Sequence, residues 1–314
     1  MRRNILPLSF ALLFAAACGN SAAEGPKPQQ PQQAAADGQE TAVELSGDTA
    51  AKLRAAVARP SRPAKESARD VYRHPVETLE FFGFKDDMNV VELAPGGGWY
   101  TAILAPVLHD KGHLTVTISD PNGAPEKEST KNALKLLERF KHAPGLYDKV
   151  EPKVVAADKP EHYVLGPDGS ADLVLTFRSV HGWVDDKENE RFNLVLHAVK
   201  NVLKTGGVFG VVEHRAKADA DPKKSYKTGY VPEDYVIKLV EAQGFKLAGK
   251  SEVNANPKDT KDYKNGVWTL PPTLDLKNDP KHPGPDGPDY TEADRPRFVA
   301  IGESDRMTLK FVKQ

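Results

Sequence analysis

The sequence predicts an α/β domain with a doubly wound, mostly parallel sheet of seven strands in which the last strand is antiparallel. Three observations lead to this fold class. Short apolar runs alternate with helical patterns from Val90 to Ala242, which is typical of a parallel sheet covered on both faces. A run of three glycines follows the first apolar run and opens a helix. No clear helix separates the final two strands, which are therefore predicted to form an antiparallel pair at one edge.

Each strand is predicted from a short apolar run bounded by turn residues, and each helix from apolar residues at a spacing of three or four. The predicted strands span residues 90–93, 113–119, 150–156, 172–177, 208–213, 245–253 and 306–312. The predicted helices span residues 49–57, 66–82 with a break at Pro75, 100–108, 131–140, 187–203 and 232–242. Gly206 and Gly207 are predicted to end the helix over 187–203 as a C-cap.

The first 45 residues are predicted to lie outside the folded domain. Arg2 and Arg3 precede an apolar run that leads to Cys18, a pattern typical of a secretory signal over residues 1–18. The cysteine resembles that of bacterial lipoprotein signals, which implies an exported, periplasmic protein held at the membrane only through a lipid on Cys18. Plain cleavage nearby, with the cysteine lost, is the alternative. Residues 19–45 are rich in Ala, Gln and Pro and are predicted to be a disordered linker before a domain over 46–314.

Composition excludes several other classes of protein. The net charge is −1 and no basic stripe is present, so nucleic acid is not a predicted partner. Cys18 is the single cysteine, which excludes internal disulfides and thiolate metal sites. No internal apolar segment is long enough to span a membrane. The oligomeric state is not predicted.

The most informative segment is NVVELAPGGGWY, residues 89–100. Glu92 is predicted to stand at the carboxyl end of the first strand, just before the glycine turn. Glycines let the backbone pass close to a ligand, and the helix that follows offers free N–H groups to it. Strand, glycine turn and helix in this order predict a nucleotide-type ligand site at the rim of the sheet.

This arrangement resembles the class I S-adenosylmethionine-dependent methyltransferases. The family's first motif, an acidic residue followed by glycines at alternate positions, matches residues 92–98 with Ala94 in place of the first glycine. DLVLTFRSVHGWVDD and VLKTGGVFGVVEHRA match the fourth and fifth strands with their loops. More narrowly, the chain resembles predicted bacterial methyltransferases that carry export signals and end in a strand like GESDRMTLKF. The resemblance covers about residues 66–314 and implies a Rossmann-like methyltransferase fold, S-adenosylmethionine as cofactor and methyl transfer to a small-molecule acceptor.

The resemblance also implies the cofactor-binding residues. Asp120 ends the second strand, where the family binds the ribose hydroxyls, and Asp158 follows the third, where it contacts the adenine amino group. The implied set is Glu92, Ala94, Gly96, Gly97, Gly98, Asp120, Asp158 and Phe177. Judged from the residues alone, Asp120 also suits a turn before Pro121, and Asp158 also suits a loop.

Three residues beyond strands four and five are predicted to serve the chemistry. His181 is the leading general base because an imidazole titrates near neutral pH; a loop histidine bonded to the backbone is the alternative. His214 is a second candidate base for the same reason; a surface residue at the end of a strand is the alternative. Arg178 is predicted to hold an acidic substrate group, or to pair with Asp185 or Glu213.

Two further groups of polar residues are open to interpretation. His181, Glu213 and His214 would suit a divalent metal if they converge, but metal-dependent catechol-type methyltransferases carry an Asp at the position of Arg178, so no metal site is predicted. Arg69, Asp70, Arg73 and His74 precede the first strand and are predicted to form a solvated charged face, with cover over the methyl donor as the alternative.

Two other functions remain open at this point. An exported ligand-binding lipoprotein on the same scaffold, without turnover, would suit both Ala94 and export, since S-adenosylmethionine is made in the cytoplasm. A nicotinamide-dependent oxidoreductase would need a Gly or Ala at the position of Thr101 and does not predict an antiparallel edge pair. The long insertion over 254–304 has no readable pattern, so the acceptor stays unidentified.

Overall fold

A computed structural model describes residues 47–185, 188–277, 284 and 289–314. The predicted signal over 1–18, its Cys18 and the predicted linker over 19–45 lie outside the described residues. In the described part of the chain, no helix combines the length and apolar character needed to cross a membrane.

The described residues contain seven strands and eleven α-helices. The strands are β1 (Asn89–Leu93), β2 (His113–Ile118), β3 (Val150–Val154), β4 (Ala171–Phe177), β5 (Leu203–His214), β6 (Phe245–Ser251) and β7 (Arg306–Lys313). The helices are α1 (Thr49–Ala58), α2 (Ala64–Ser67), α3 (Asp70–Arg73), α4 (Pro75–Phe82), α5 (Thr101–Leu108), α6 (Glu128–His142), α7 (Pro144–Tyr147), α8 (Glu190–Val202), α9 (Pro222–Ser225), α10 (Glu233–Ala242) and α11 (Arg295–Ile301).

All seven strands join one sheet in the order β3-β2-β1-β4-β5-β7-β6. The first five strands pair in parallel, whereas β7 runs antiparallel to both β5 and β6. The predicted fold class is therefore confirmed. The order differs from the 3-2-1-4-5-6 order of dinucleotide-binding domains, because β7 lies between β5 and β6 and leaves β6 at the edge.

Apolar side chains pack on both faces of this sheet. Val90 belongs to one core cluster with helices α1, α4 and α5, and its neighbour Val91 belongs to another with α8 and α10. Successive side chains of a strand point to opposite faces, so adjacent residues serve different cores. Helix α5, which follows the glycine turn, is buried along all of its residues. The turn is therefore held between a central strand and a fully packed helix.

The predicted C-cap at Gly206 and Gly207 is wrong. Helix α8 ends at Val202, and the next residue, Leu203, is fully buried and already extended as the first residue of β5. The pairing of β4 with β5 is irregular here, since Ala171 pairs with Leu203 and Leu173 with Val208. Gly206 has a φ of 77° within this irregular stretch, a conformation that glycine adopts readily.

The chain between β6 and β7 forms local structure of its own. It contains α11 and a short 3-10 helix over Gly266–Thr269. Tyr263, Leu270, Leu276 and Phe298 pack into a small separate core. The described part of the 254–304 insertion is thus folded, although its sequence carries no readable pattern.

Candidate functional site

The turn after β1 has an unusual backbone. Ala94, Gly96 and Gly98 have φ values of 45°, 58° and 77°. The Ala94 N–H donates to the Thr117 hydroxyl at 2.9 Å, which ties the turn to the end of β2. The left-handed region disfavours a side chain with a Cβ, so the position of Ala94 is one where a glycine would be unstrained.

This turn separates two cavities. The first has a volume of about 670 Å³ and lies against the ends of β2 and β3. The second has a volume of about 540 Å³ and lies against the ends of β4 and β5. Ala94, Pro95 and Gly96 line both cavities, so the turn is their common wall. Both volumes fall within the range of about 300–1,000 Å³ that is usual for small-molecule sites.

The three glycines of the turn differ in their surroundings. A Cβ added at Gly96 or Gly97 would meet no protein atom within 4 Å. A Cβ added at Gly98 would lie 2.7 Å from the Leu136 Cδ1 atom. Gly96 and Gly97 therefore present bare backbone to the cavities, whereas Gly98 lines neither cavity and allows α6 to pack against the turn.

The first cavity carries the two predicted acids. Asp120 and Asp158 both line it and both are exposed. The Asp120 carboxylate accepts a hydrogen bond from the Asn122 N–H at 2.8 Å, so this residue also shapes its turn. A hydrogen bond from the His162 ring, 3.0 Å from Asp158 Oδ1, lowers the pKa of Asp158. Trp183 lines this first cavity and stacks on Phe192.

Glu92 lies beneath the turn and lines neither cavity. Its side chain is 1% exposed, and its Oε2 atom accepts a hydrogen bond from the Thr101 hydroxyl at 2.6 Å. Burial raises the pKa of Glu92 to about 7, against the smaller opposing effect of this hydrogen bond. The geometry makes Glu92 a support of the turn, and direct contact with a cofactor stays a prediction.

The second cavity brings His181 and His214 together, with Glu213 behind them. His181 Nδ1 lies 3.0 Å from Glu213 Oε1, and the two histidine rings are 5.5 Å apart. His214 Nδ1 lies 2.6 Å from the Ser304 hydroxyl. Burial lowers the pKa of His214 well below its ordinary value, and the neighbouring His181 and Arg178 add to the shift. Its surroundings therefore favour the neutral imidazole of His214 over the charged form.

Glu213 is fully buried and its carboxylate is already engaged. Oε1 accepts from the His214 N–H at 2.7 Å and Oε2 from the His181 N–H at 3.2 Å. The side chains of His181, Glu213 and His214 converge to within 4.8 Å, which meets the condition set for a divalent metal. A carboxylate whose two oxygens both accept backbone N–H groups suits a residue that orients a histidine better than a direct metal ligand. The absence of a metal stays a prediction.

Arg178 lines the second cavity, with a φ of 59° and a backbone N–H that donates to the Val212 carbonyl at 2.6 Å. Within the described part of the chain it forms no ion pair with Asp185 or Glu213. Phe177, predicted to contact the cofactor, lines this second cavity with its ring stacked on Tyr100 at 3.5 Å between centroids.

Several residues in or next to the second cavity were missed or misjudged from the sequence. Glu303, Ser304 and Trp268 line it but come from the unreadable insertion. Arg73, predicted to be on a solvated face, is 1% exposed and bonded to Glu303. Its guanidinium lies 4.6 Å from the centre of the Trp99 ring. The residues next to Arg73 in the sequence gave no signal of this burial.

The chain was compared with known families, curated proteins and solved structures. No protein-family model and no curated protein matches the sequence. A methyltransferase from Aquifex aeolicus, described as dependent on S-adenosylmethionine, has 20% identity over 60% of this chain and 89% of its own, with a TM-score of 0.46. A geranyl diphosphate methyltransferase in complex with S-adenosylmethionine has 14% identity over 83% of this chain and 95% of its own, with a TM-score of 0.47. The fibrillarin of Aeropyrum pernix with natively bound S-adenosyl-L-methionine has 13% identity over 78% of this chain and 76% of its own, with a TM-score of 0.42. Likenesses of this size carry no argument about what the chain binds or does.

Proposed function

We propose that this chain is an S-adenosylmethionine-dependent methyltransferase that acts on a small-molecule acceptor. The observation that carries the proposal is the glycine turn as the common wall of two cavities, one with acids at its rim and one with a paired histidine. A ligand laid across the turn would have its adenosyl part beside Asp120 and Asp158 and its methionyl part over Gly96 and Gly97. The acceptor would then occupy the second cavity.

The turn fits such a ligand. The backbone at Gly96 and Gly97 faces open space on the cavity side, which is the form of a cradle that a Cβ would fill. Asp120 has one carboxylate oxygen bonded to its own turn, and a carboxylate can accept further hydrogen bonds from a ribose diol. Thr101 and the N-terminus of α5 follow directly, and Glu92 supports the turn from below. The support for the proposed site therefore comes from this chain's own residues.

S-adenosylmethionine would supply a methyl group activated on a sulfonium: an acceptor lone pair would bond to the methyl carbon in line as the carbon–sulfur bond breaks and leaves its electron pair on sulfur. The protein's part is alignment, exclusion of water and removal of an acceptor proton where there is one. Phe177, Trp268 and the Pro271–Pro272 pair line the second cavity with apolar surface. These side chains would limit the access of water to the reacting atoms.

His181 is the base that this geometry favours. Its Nδ1–H faces the buried Glu213 carboxylate at 3.0 Å, which leaves the Nε2 lone pair free to take a proton. Glu213 would hold the ring orientation and stabilise the imidazolium once it forms. His214, whose pKa is lowered well below its ordinary value, would serve as a neutral hydrogen-bonding partner and not as a second base.

Cofactor binding by the purified full chain tests the proposal. Calorimetry with S-adenosylmethionine and S-adenosylhomocysteine should detect binding of both. Gly97→Ala should weaken binding at least tenfold without changing the unfolding midpoint, because the new methyl group meets no protein atom but enters the cavity. Gly182→Ala is the matched control, since this glycine is also unobstructed and lines neither cavity. No binding of either compound by the unaltered chain would refute the proposal.

Turnover separates an enzyme from a binding protein. His181→Asn should reduce release of S-adenosylhomocysteine at least a hundredfold with an acceptor that carries a transferable proton, while leaving cofactor affinity unchanged. Binding of cofactor without release of product from any acceptor tried would leave only a ligand-binding function.

We further propose that the chain is exported and carries a lipid on Cys18. The support is the sequence pattern of residues 1–18. Mass spectrometry of the mature protein should find a lipidated Cys18 as its first residue, and Cys18→Ser should release the protein from the membrane fraction. A mature chain without lipid would contradict this proposal and leave the methyltransferase proposal untouched.

A further inference from the structure

Four arginines surround one carboxylate at the side of the second cavity. Glu303 accepts from Arg69 Nε at 2.6 Å, from Arg73 Nε at 3.0 Å and from Arg306 Nη1 at 3.1 Å. Arg178 is close enough to Glu303 to interact with it electrostatically. We refer to Arg69, Arg73, Arg178 and Arg306 together as the arginine cluster.

The arginine cluster has more positive charge than Glu303 can balance. Four guanidinium groups face one carboxylate, a surplus of three charges. Burial by itself would raise the pKa of Glu303, but the four guanidinium groups outweigh it and lower that pKa to about 2. Burial lowers the pKa of Arg73 to about 9 and that of Arg178 to about 10, and neighbouring arginines add to both shifts. A buried surplus of like charge is costly unless a counter-charge is bound.

Several hydrogen-bond donors of the arginine cluster are unused. Arg69 Nη2, both Nη atoms of Arg73 and Arg306 Nε are buried without a hydrogen-bond partner among the described residues. The Trp99 ring compensates Arg73 in part. Arg178 makes no side-chain hydrogen bond to any residue that the structure describes. Buried guanidinium donors are normally satisfied, so this set is incomplete without a further acceptor of hydrogen bonds.

Two members of the arginine cluster, Arg69 and Arg178, line the second cavity. Arg178 also contributes to the lowered pKa of His214, which places its charge on the histidine side of the cavity. Arg73 and Arg306 lie behind, 1% and 3% exposed, and add to the positive potential. Arg69 and Arg178 therefore bring the positive charge of the arginine cluster to the cavity next to the proposed base.

We propose that the second cavity binds an acceptor that carries a carboxylate or phosphate group, held by Arg178 and Arg69. This inference rests on the proposed function and names the chemical class of its acceptor. The planar fork of a guanidinium matches the two oxygens of such an anion. The positive potential would also favour the anionic form of a nucleophile beside His181.

The net charge of the cofactor does not balance the arginine cluster. S-adenosylmethionine has a sulfonium and an ammonium group against one carboxylate, so its binding adds a net positive charge. With the cofactor bound, the surplus at the arginine cluster grows and repels the sulfonium. A separate anion in the second cavity removes this repulsion. We therefore assign the anion-binding role of Arg178 and Arg69 to the acceptor.

The experiment measures binding of succinate, inorganic phosphate and sulfate to the full chain at low millimolar concentration. Ionic strength is held constant with sodium chloride, and the readouts are the unfolding midpoint and calorimetry. At least one of the three anions should raise the midpoint by about 3 °C or more relative to chloride. Arg178→Gln should lower the affinity for that anion at least tenfold, and Arg178→Lys should lower it less. Arg54→Gln, an exposed arginine on α1 that lines neither cavity, should change nothing.

Three results would overturn the inference. The first is that none of the three anions binds the unaltered chain more tightly than chloride does. The second is an affinity that is unchanged in both Arg178→Gln and Arg69→Gln; the second variant guards against misfolding of the first, since Arg69 is one-fifth exposed. The third is competition between the anion and S-adenosylhomocysteine, which would assign the arginine cluster to the cofactor's own carboxylate. Anion binding by a chain that does not bind S-adenosylmethionine would instead refute the proposed function and leave the anion site in place.

Discussion

The two cavities on either side of the glycine turn are built in opposite ways. The acids of the first cavity, Asp120 and Asp158, come shortly after β2 and β3 and are exposed. The second joins residues that are far apart along the chain, since Arg69 and Glu303 are 234 positions apart and His214 and Ser304 are 90 apart. Its charges are largely buried. The exposed acids of the first cavity supply a ligand site at little cost in stability. The buried charges of the second cavity come from distant parts of the chain, so ligand binding there is linked to folding.

The largest expected effect tests the buried charges of the second cavity. Glu303→Gln leaves four guanidinium groups without their carboxylate, so the free energy of unfolding should fall by about 3–5 kcal/mol at pH 7. Urea unfolding measures this, with Glu292→Gln as the control because Glu292 pairs with Arg295 at the surface. The pKa of Glu303 is lowered to about 2, so its contribution is present above pH 4.5 and is lost as the pH falls towards 2. A loss of less than 1 kcal/mol at pH 7 would show that the two cavities do not differ in this way.

A smaller effect is expected beneath the shared turn. The pKa of Glu92 is raised to about 7 by burial, so the protonated form favours folding. The stabilisation is full below pH 4.5 and is lost as the pH rises through 7. Glu92→Gln should therefore be more stable than the unaltered chain at pH 8, by up to about 3 kcal/mol, and equal to it at pH 4. Glu80→Gln, at an exposed position on α4, should show no such dependence, and a flat difference between pH 4 and 8 for Glu92→Gln would contradict the prediction.

The first cavity should respond in ligand affinity and not in stability. Asp120→Asn keeps an oxygen for the Asn122 N–H and hence the turn, but loses the charge that favours the ribose hydroxyls. Affinity for S-adenosylmethionine should fall about tenfold, or about 1.4 kcal/mol, with anion binding in the second cavity unchanged. Asp168→Asn, at an exposed turn elsewhere, is the control. Equal affinities in calorimetry would remove Asp120 from the proposed site.

The smallest effect concerns the turn itself. Ala94→Gly relieves a left-handed conformation that costs an alanine about 1 kcal/mol, but it also adds entropy to the unfolded chain by a similar amount. The free energy of unfolding should therefore change by less than about 1 kcal/mol, and cofactor affinity should be retained. A destabilisation of more than 1 kcal/mol in urea unfolding would mean that the Ala94 methyl group makes a contact that the turn needs.

The alternation of strand and helix patterns in the sequence was enough to predict the sheet and the two acids, Asp120 and Asp158, at its edge. Five parallel strands, the break at Pro75 and the glycine turn after β1 depend on patterns only a few residues long. Because parallel strands end at the same edge, residues just beyond β2 and β3 fall beside one cavity wherever the rest of the chain goes. Asp120 and Asp158 were placed in this way. The same local patterns failed at Gly206, where burial of Leu203 and the irregular pairing of β5 outweighed the tendency of glycine to end a helix.

Only the tertiary structure decided the second cavity. The sequence named His181, His214 and Arg178, but it gave no sign that Glu213 would orient the first of them. It also placed Arg73 on a solvated face, whereas Arg73 is buried against Glu303 from the far end of the chain. Hydrophobic periodicity reports whether a residue is buried by its own helix or strand, and that signal extends over a few residues. The partner of a buried charge is fixed by which distant segments pack together, and this depends on the burial of the whole chain.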